Sequence, residues 1–401
     1  MSPKSTVPYK FILFVFLFFI ADFTLDNINH RFLMPDFKVY CGAAHAIMCG
    51  KQVYGNLFSL GSGYYKYAPF TALIFYPLSV LPYYMACVVF YVLIATAIVL
   101  TTIFLLHFFS AYVFKLPVKF PNTILSLSIL CIAIHIIREI GLGNVNMFLL
   151  MLLCLVVYFI IQNKMLPAGV LLALVLVTKP FFIVVLIPLL MRRYFKAVFI
   201  TVLLLLLLVI LPALLLGIHY DVELHSQWLN TMLMHADGYP SPNTIEAISR
   251  NIHPSNVSGN LQYVLMALFL VFYVFYIRAN RMNEKKDSIE SPSNFIMEWF
   301  TLIAMIPCLF KTDTEHFLMS LPIIMFILIY LFNNRNVVLT VSFILFILLF
   351  AGNSSDLLGA KLSMEMFNIG TLGISNMLLV ALALFIYTRR TSNRREIGLE
   401  P

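Results

Sequence analysis

Runs of uncharged apolar residues decide what this 401-residue chain can become. Phe11–Ile20, Phe181–Met191 and Thr201–Leu216 contain no charged side chain, and similar segments recur from end to end. An element that is apolar all round needs hydrocarbon about it or a very large protein core. Composition chooses between them. Hydrophobic residues make up 61% of the chain and charged residues only 11%, whereas a soluble domain carries about 25% charge. The bilayer is therefore the solvent. Within it, helices can satisfy every backbone polar group inside their own segment. The expectation is an all-α, polytopic transmembrane protein forming a single integral membrane domain over residues 1–401.

Apolar segments fall near residues 9–25, 83–109, 122–137, 147–162, 165–178, 180–191, 197–217, 261–279, 295–310, 317–332, 337–351 and 372–388, which predicts about 12 spans. Lys4 and Lys10 precede the first run, and Asp22-Phe23 stands where a small-residue cleavage site would be. An uncleaved signal anchor is expected, with a cleaved secretory peptide as the alternative. If the N-terminus is cytoplasmic, alternation puts 17 of the 26 Lys and Arg inside, as the positive-inside rule requires. The net charge of +8 is then a topology signal, and no nucleic-acid partner is expected. Both termini fall inside, including a basic tail over 389–401. Three long polar stretches fall outside: Asp22–Pro82, Gly217–Asn260 and Gly352–Thr371. Chemistry is expected on that outer face, because long polar loops usually carry sites. Four cysteines (Cys87, Cys131, Cys154, Cys308) lie in apolar segments. Cys41 and Cys49 are eight residues apart on an expected helix, about 12 Å along its axis and too far to bridge. Neither disulfides nor a zinc site are expected.

Asp36 opens a helical pattern in which Val39, Tyr40, Ala43, Ala44, Ile47 and Met48 share a stripe and Gly50 stops the run. Such a helix is expected to lie in the membrane interface. A second interfacial element follows at Tyr64–Phe70, and Pro77 and Pro82 break the run before the span at 83. Asp36 could cap its helix or act as a general base; the two roles are compatible. Lys179, between two apolar segments, would be costly to bury unpaired, so it contacts either lipid headgroups or a substrate phosphate. Arg250 and Lys66 are further outer cations, and Arg suits bidentate phosphate binding. Arg138 and Glu139 read as a local ion pair at a span end. Asn144 and Asn146 either line a cavity or satisfy each other across helices. In Lys311–His316, His316 is either part of a solvated connector or a phosphate ligand. Asp313 and Glu315 offer a divalent metal site as an alternative to the expectation of no cofactor.

These motifs resemble glycosyltransferase family 87, of the C-type superfamily of membrane glycosyltransferases that use polyprenyl-phosphate sugars. The resemblance runs through most of the chain. Asp36–Ala44 matches the family's Asp-Phe-x-x-Tyr-x-x-Ala-Ala, and Gly50–Tyr54 its Gly-x-x-x-Tyr. Tyr67–Phe70, Pro77–Pro82 and Lys179-Pro180 follow in family order. Gly143-Asn144-Val145-Asn146 matches Gly-Gln-x-Asn with Asn in place of Gln, and His316 precedes a late helix as the family's His does. Pro242-Asn243-Thr244-Ile245 departs from the Asn-Gln-Ser-Leu the family would have. The resemblance implies Asp36 as catalytic base and His316, Lys179, Arg250 and Lys66 around the donor phosphate. Tyr40, Tyr67, Asn144 and Asn146 would line the substrate cavity.

The function expected is inverting transfer of a sugar, mannose by resemblance, from a polyprenyl-phosphate donor to a lipid or glycan acceptor on the outer face of a bacterial-type inner or plasma membrane. Nucleotide sugars are cytoplasmic, so outer-face transfer implies a lipid-carried donor. The sequence also lacks the Gly-x-x-x-x-Gly-Lys-Ser/Thr phosphate cradle. A transporter or flippase of a lipid-linked sugar would place polar groups within the spans, and few charges are found there. A glycan polymerase or ligase would share the architecture and differ in acceptor.

Overall fold

A computed structural model describes residues 8–59, 63–238, 241–252, 261–286 and 292–396. Residues 1–7 with Lys4 of the expected signal anchor, 60–62 of the first polar stretch, 239–240 and 253–260 of the second, 287–291 of a basic connector, and 397–401 of the tail lie outside the described residues. The protein is an all-α, polytopic membrane protein whose twelve apolar segments are all helical.

In chain order, α1 (Tyr9–Ile28) is followed by α2 (Pro35–Met48) and α3 (Pro69–Ser79), with a short antiparallel ribbon between them, β1 (Leu57–Ser59) and β2 (Gly63–Tyr64). Helix α4 (Tyr83–Phe108) runs on into a π-helical turn, Phe109–Phe114. The next segment is broken at Ile132 into α5 (Pro121–Cys131) and α6 (Ala133–Leu142), bent by 61°. Then come α7 (Asn146–Ile161), α8 (Met165–Thr178), a 3₁₀ turn Pro180–Val185 leading into α9 (Leu186–Met191), α10 (Phe195–Leu216), α11 (Ile218–Gly238) and α12 (Ile245–Ile252). The last third holds α13 (Leu261–Lys286), α14 (Pro292–Leu309), a 3₁₀ segment Thr314–Ser320 entering α15 (Leu321–Asn333), α16 (Val337–Ala351), α17 (Ser355–Leu358), α18 (Ala360–Ile369) and α19 (Thr371–Glu396).

Among the described residues seven helices have the length and hydropathy to cross a bilayer, or eight if the bent α5–α6 pair is one span. Helices α7, α8 and α16 have 16, 14 and 15 residues, about 21–24 Å of rise against a hydrocarbon core of about 30 Å. An apolar segment therefore does not always mean a full crossing.

The chain forms two compact units. One comprises Met1–Asp22, Val99–Ile136 and Ser241–Pro401; the other comprises Phe23–Ile98 and Ile137–Pro240. In the first, α14 and α15 form the core, with every side chain from Phe295 to Leu309 buried. In the second, α8 packs against α7 and α10. By contrast α10 leaves Leu206, Ile210 and Leu214 exposed, the last at 78%, a surface tolerable only against lipid. Helix α11 leaves the stripe Ile218, Val222, Leu229 and Leu233 exposed while Asp221 and Leu224 are buried, the pattern of a helix lying on a membrane surface.

Helix α2 is more buried than a single interfacial stripe requires. Phe37, Cys41 and Ala46 are covered as well, and only Met48 of the expected stripe is exposed. The cause is neighbours on more than one side: α3 packs on α2, and Phe58 of β1 lies where a Cβ on Gly42 would come within 2.5 Å of its ring.

Candidate functional site

The second unit gathers a polar cluster around the start of α2. The chain enters this helix through Met34, left-handed at φ 42°, with Pro35 at the first helical position, where its missing N–H costs nothing. Asp36 is thus inside the first turn and the cap position belongs to Met34. Its carboxylate still gains from the positive end of the helix dipole. The Tyr83 hydroxyl lies 2.7 and 3.0 Å from the Leu33 and Met34 carbonyls and holds this entry. Phe37 anchors the turn by stacking on Phe90, with ring centroids 4.4 Å apart.

Asn144 reaches Asp36 because of the glycine before it. Gly143 has φ +68°, and a Cβ there would sit 2.7 Å from the Phe37 Cβ and 3.0 Å from that of Met34. Only glycine fits both the left-handed backbone and the close approach. The next residue then points its amide at α2. Asn144 Nδ2 donates to Asp36 Oδ2 at 2.8 Å, and Asn144 Oδ1 accepts the Val145 N–H at 2.7 Å. The same oxygen accepts a long 3.5 Å bond from the Tyr67 hydroxyl, which lies 3.0 Å from that of Tyr40. If Tyr67 spends its proton on Asn144, Tyr40 donates to Tyr67, and the donors run Tyr40, Tyr67, Asn144, Asp36. The carboxylate is the terminal acceptor. Burial, then Tyr67 and Asp36, push the Tyr40 phenol well above its usual pKa, so it keeps its proton.

Tyr67 is held by its backbone. Three successive carbonyls take side-chain donors: Lys66 from Trp228 Nε1 at 3.1 Å, Tyr67 from the Tyr54 hydroxyl at 2.7 Å, and Ala68 from the Tyr65 hydroxyl at 3.3 Å. Pro69 then starts α3.

A second chain of bonds lies behind the first. Glu139 is fully buried and accepts Asn146 Nδ2 at 2.9 Å and the Met147 N–H at 3.0 Å. Glutamate can only accept, so the Asn146 amide is turned with its oxygen away, and that oxygen takes Lys179 Nζ at 2.6 Å. Lys179, extended because Pro180 follows, is 4% exposed, with its ammonium 5.6 Å from the Tyr67 ring centroid. Asp36, Tyr40, Tyr67, Asn144, Asn146 and Lys179 thus belong to one cluster, with Lys66 joined through its carbonyl.

Sequence patterning underrates Glu139. It sits at the position of α6 that continues Ile132, Ile136 and Ile140, an apolar stripe, whereas Arg138 faces outward and is exposed. A carboxylate on an apolar stripe is the signal that a local ion pair hides. Tyr54, Tyr65, Tyr83 and Trp228 also serve the site through partners distant in sequence.

His316, Asp313, Glu315 and Arg250 lie in the first unit. His316 and Glu315 are buried on the 3₁₀ segment with His316 Nδ1 3.6 Å from Glu315 Oε1. Asp313 is half-buried, and its carbonyl accepts the His316 N–H at 3.2 Å. Arg250 is engaged by Glu246, one helical turn away, at 2.6 Å. The Pro242–Ile245 stretch is held nearby: Ser241 donates to the Thr312 carbonyl at 3.2 Å, and Asn243 Oδ1 accepts the Gly373 N–H at 3.2 Å. Among the described residues no three His, Cys, Asp or Glu side chains converge so as to hold a metal ion.

The profile of glycosyltransferase family 87 matches residues 65–289, a stretch that contains Lys66, Tyr67, Glu139, Asn144, Asn146, Lys179 and Arg250. Comparison with curated proteins gives no match.

Proposed function

The chain belongs to glycosyltransferase family 87 and is an integral membrane glycosyltransferase, and we propose that it moves a sugar, mannose by resemblance, from a polyprenyl-phosphate donor to a lipid or glycan acceptor on the non-cytoplasmic face. The observation that carries this proposal is the half-buried Asp36 carboxylate, which receives the Asn144 N–H at 2.8 Å with two phenols behind it. A carboxylate fixed by donors but not fully buried can meet an acceptor hydroxyl. Asp36 takes the hydroxyl proton as the acceptor oxygen bonds to the anomeric carbon. The bond from that carbon to the phosphate oxygen breaks on the opposite face, the electron pair leaves with the polyprenyl phosphate, and the anomeric centre inverts. Lys179 supplies a cation for the phosphate in a site of low dielectric, held ready by Asn146 and Glu139. For His316 the donor-phosphate role rests on the resemblance. Arg250 would have to exchange Glu246 for substrate.

Lys/Arg asymmetry supports the orientation, with both termini and the 192–196 loop cytoplasmic. In a bacterial-type inner membrane the donor would then be a lipid already carried across. Purified protein offered a panel of polyprenyl-phosphate sugars should consume one of them and leave GDP-mannose untouched. Turnover of GDP-mannose by the pure protein would overturn the proposal.

A further inference from the structure

A cavity of about 950 Å³ opens in the first unit between α5, α15 and α16, and none of the candidate-site residues lines it. That is the upper end of the roughly 300–1,000 Å³ found for small-molecule sites. Its walls are hydrocarbon, among them Leu127 of α5, Leu328 of α15, and Phe343 and Ile347 of α16. One end turns polar, where Lys119 precedes α5 and Arg335 lies between α15 and α16. The two approach chains meet there, with Phe120 and Phe332 ring centroids 6.2 Å apart. The lining holds two cations and no carboxylate. Both cations are exposed, and neither has an ion-pair partner among the described residues.

The helices explain why the space exists. At 11 and 15 residues, α5 and α16 rise about 16 and 22 Å, less than the hydrocarbon thickness of about 30 Å. The chain also turns away at the 61° break after α5. Leucine, isoleucine and phenylalanine walls at bilayer depth do not hold water, which needs several polar partners. An acyl chain from the surrounding membrane fits them. Helices α5 and α16 begin at this rim and α15 ends there, so the helix-end charges partly offset one another and Lys119 and Arg335 set the sign of the rim.

We propose that this groove binds one phospholipid with an anionic headgroup, its phosphate between Lys119 and Arg335 and an acyl chain along α5, α15 and α16. Charge complementarity selects the headgroup, and the apolar length selects a lipid over a free phosphate. The test is native mass spectrometry of the full-length protein titrated with phosphatidylglycerol, phosphatidylcholine or inorganic phosphate. One tightly retained phosphatidylglycerol is expected, preferred over phosphatidylcholine by about 25-fold, since each of the two basic residues near an anionic lipid is worth about fivefold. Lys119→Gln with Arg335→Gln should bring the preference close to parity. Lys164→Gln with Lys196→Gln, removing two exposed cations elsewhere, should leave it intact. Leu127→Trp, which fills the channel and keeps both cations, should lower retention of either phospholipid. Equal retention of the two lipids, equal loss in both double variants, binding of inorganic phosphate alone, or displacement of phosphatidylglycerol by stoichiometric polyprenyl phosphate would each overturn the assignment.

Discussion

Glu139→Gln removes a charge from a side chain that never meets water and should be felt in two separable ways. Glu139 accepts from Asn146 at 2.9 Å and from the Met147 N–H at 3.0 Å. Glutamine keeps one oxygen for one of these donors and turns an NH₂ toward the other. One charge-assisted bond is lost and one buried donor is left facing a donor, together a cost of roughly 2–5 kcal/mol. Thermal unfolding in detergent should therefore fall by several degrees. The second effect concerns Lys179. With glutamate behind it, Asn146 can present only its oxygen to the ammonium, at 2.6 Å; with glutamine the amide is free to flip and point N–H groups at a cation. Donor KM should rise about tenfold, the equivalent of a charge-assisted bond near 1.4 kcal/mol, while kcat changes less. The assay is steady-state transfer with varied donor beside a melting curve. A variant that melts and binds donor like the wild type would refute the relay from Glu139 through Asn146 to Lys179.

Four further substitutions have expected outcomes. Gly143→Ala forces a side chain into a left-handed backbone at φ +68° and against Phe37, costing about 1–2 kcal/mol for the backbone and about 1–3 kcal/mol for the crowding; melting temperature and transfer should fall together, and Asn144→Ala should lower transfer with a smaller loss of stability. His316→Ala in a correctly folded protein should reduce transfer by roughly 10²-fold if it donates to the departing phosphate, and unchanged kinetics would return His316 to a packing role. Burial raises the Asp221 pKa, with His225 pulling it partly back, so its stability contribution is complete below the unfolded value and is lost as pH rises through the folded one. Asp221→Asn should accordingly gain melting temperature relative to wild type as pH goes from acid to neutral; parallel profiles would contradict this.

Segment positions were legible because a long apolar run with no more than isolated charges has few alternatives, and each expected apolar segment is helical. Crossing number was less legible. Hydropathy measures how apolar a stretch is, whereas the break at Ile132 and the short α7, α8 and α16 depend on where neighbouring helices end. In the candidate site, Asp36 and Tyr40 were legible from the Asp-Phe-x-x-Tyr pattern, and Lys179 from the cost of burying a cation. Glu139 was hidden by the adjacent Arg138, which offers a local reading for a carboxylate whose donors Asn146 and the Met147 N–H lie seven and eight residues on. The clamp on Lys66–Ala68 comes from Trp228, Tyr54 and Tyr65, and bonds across 162 residues leave no local pattern. The cap at Met34 was equally unreadable, because nothing in methionine announces a left-handed turn.

The most direct test of the account is the rate of sugar transfer by purified Asp36→Asn with a polyprenyl-phosphate sugar as donor. Asparagine keeps the size of aspartate and can still offer an oxygen to Asn144, which now donates to Asp36 at 2.8 Å. Folding and donor binding should therefore survive. The lost base should lower turnover by roughly 10²–10⁴-fold. A folded, donor-binding Asn variant that transfers sugar near the wild-type rate would contradict Asp36 as the base.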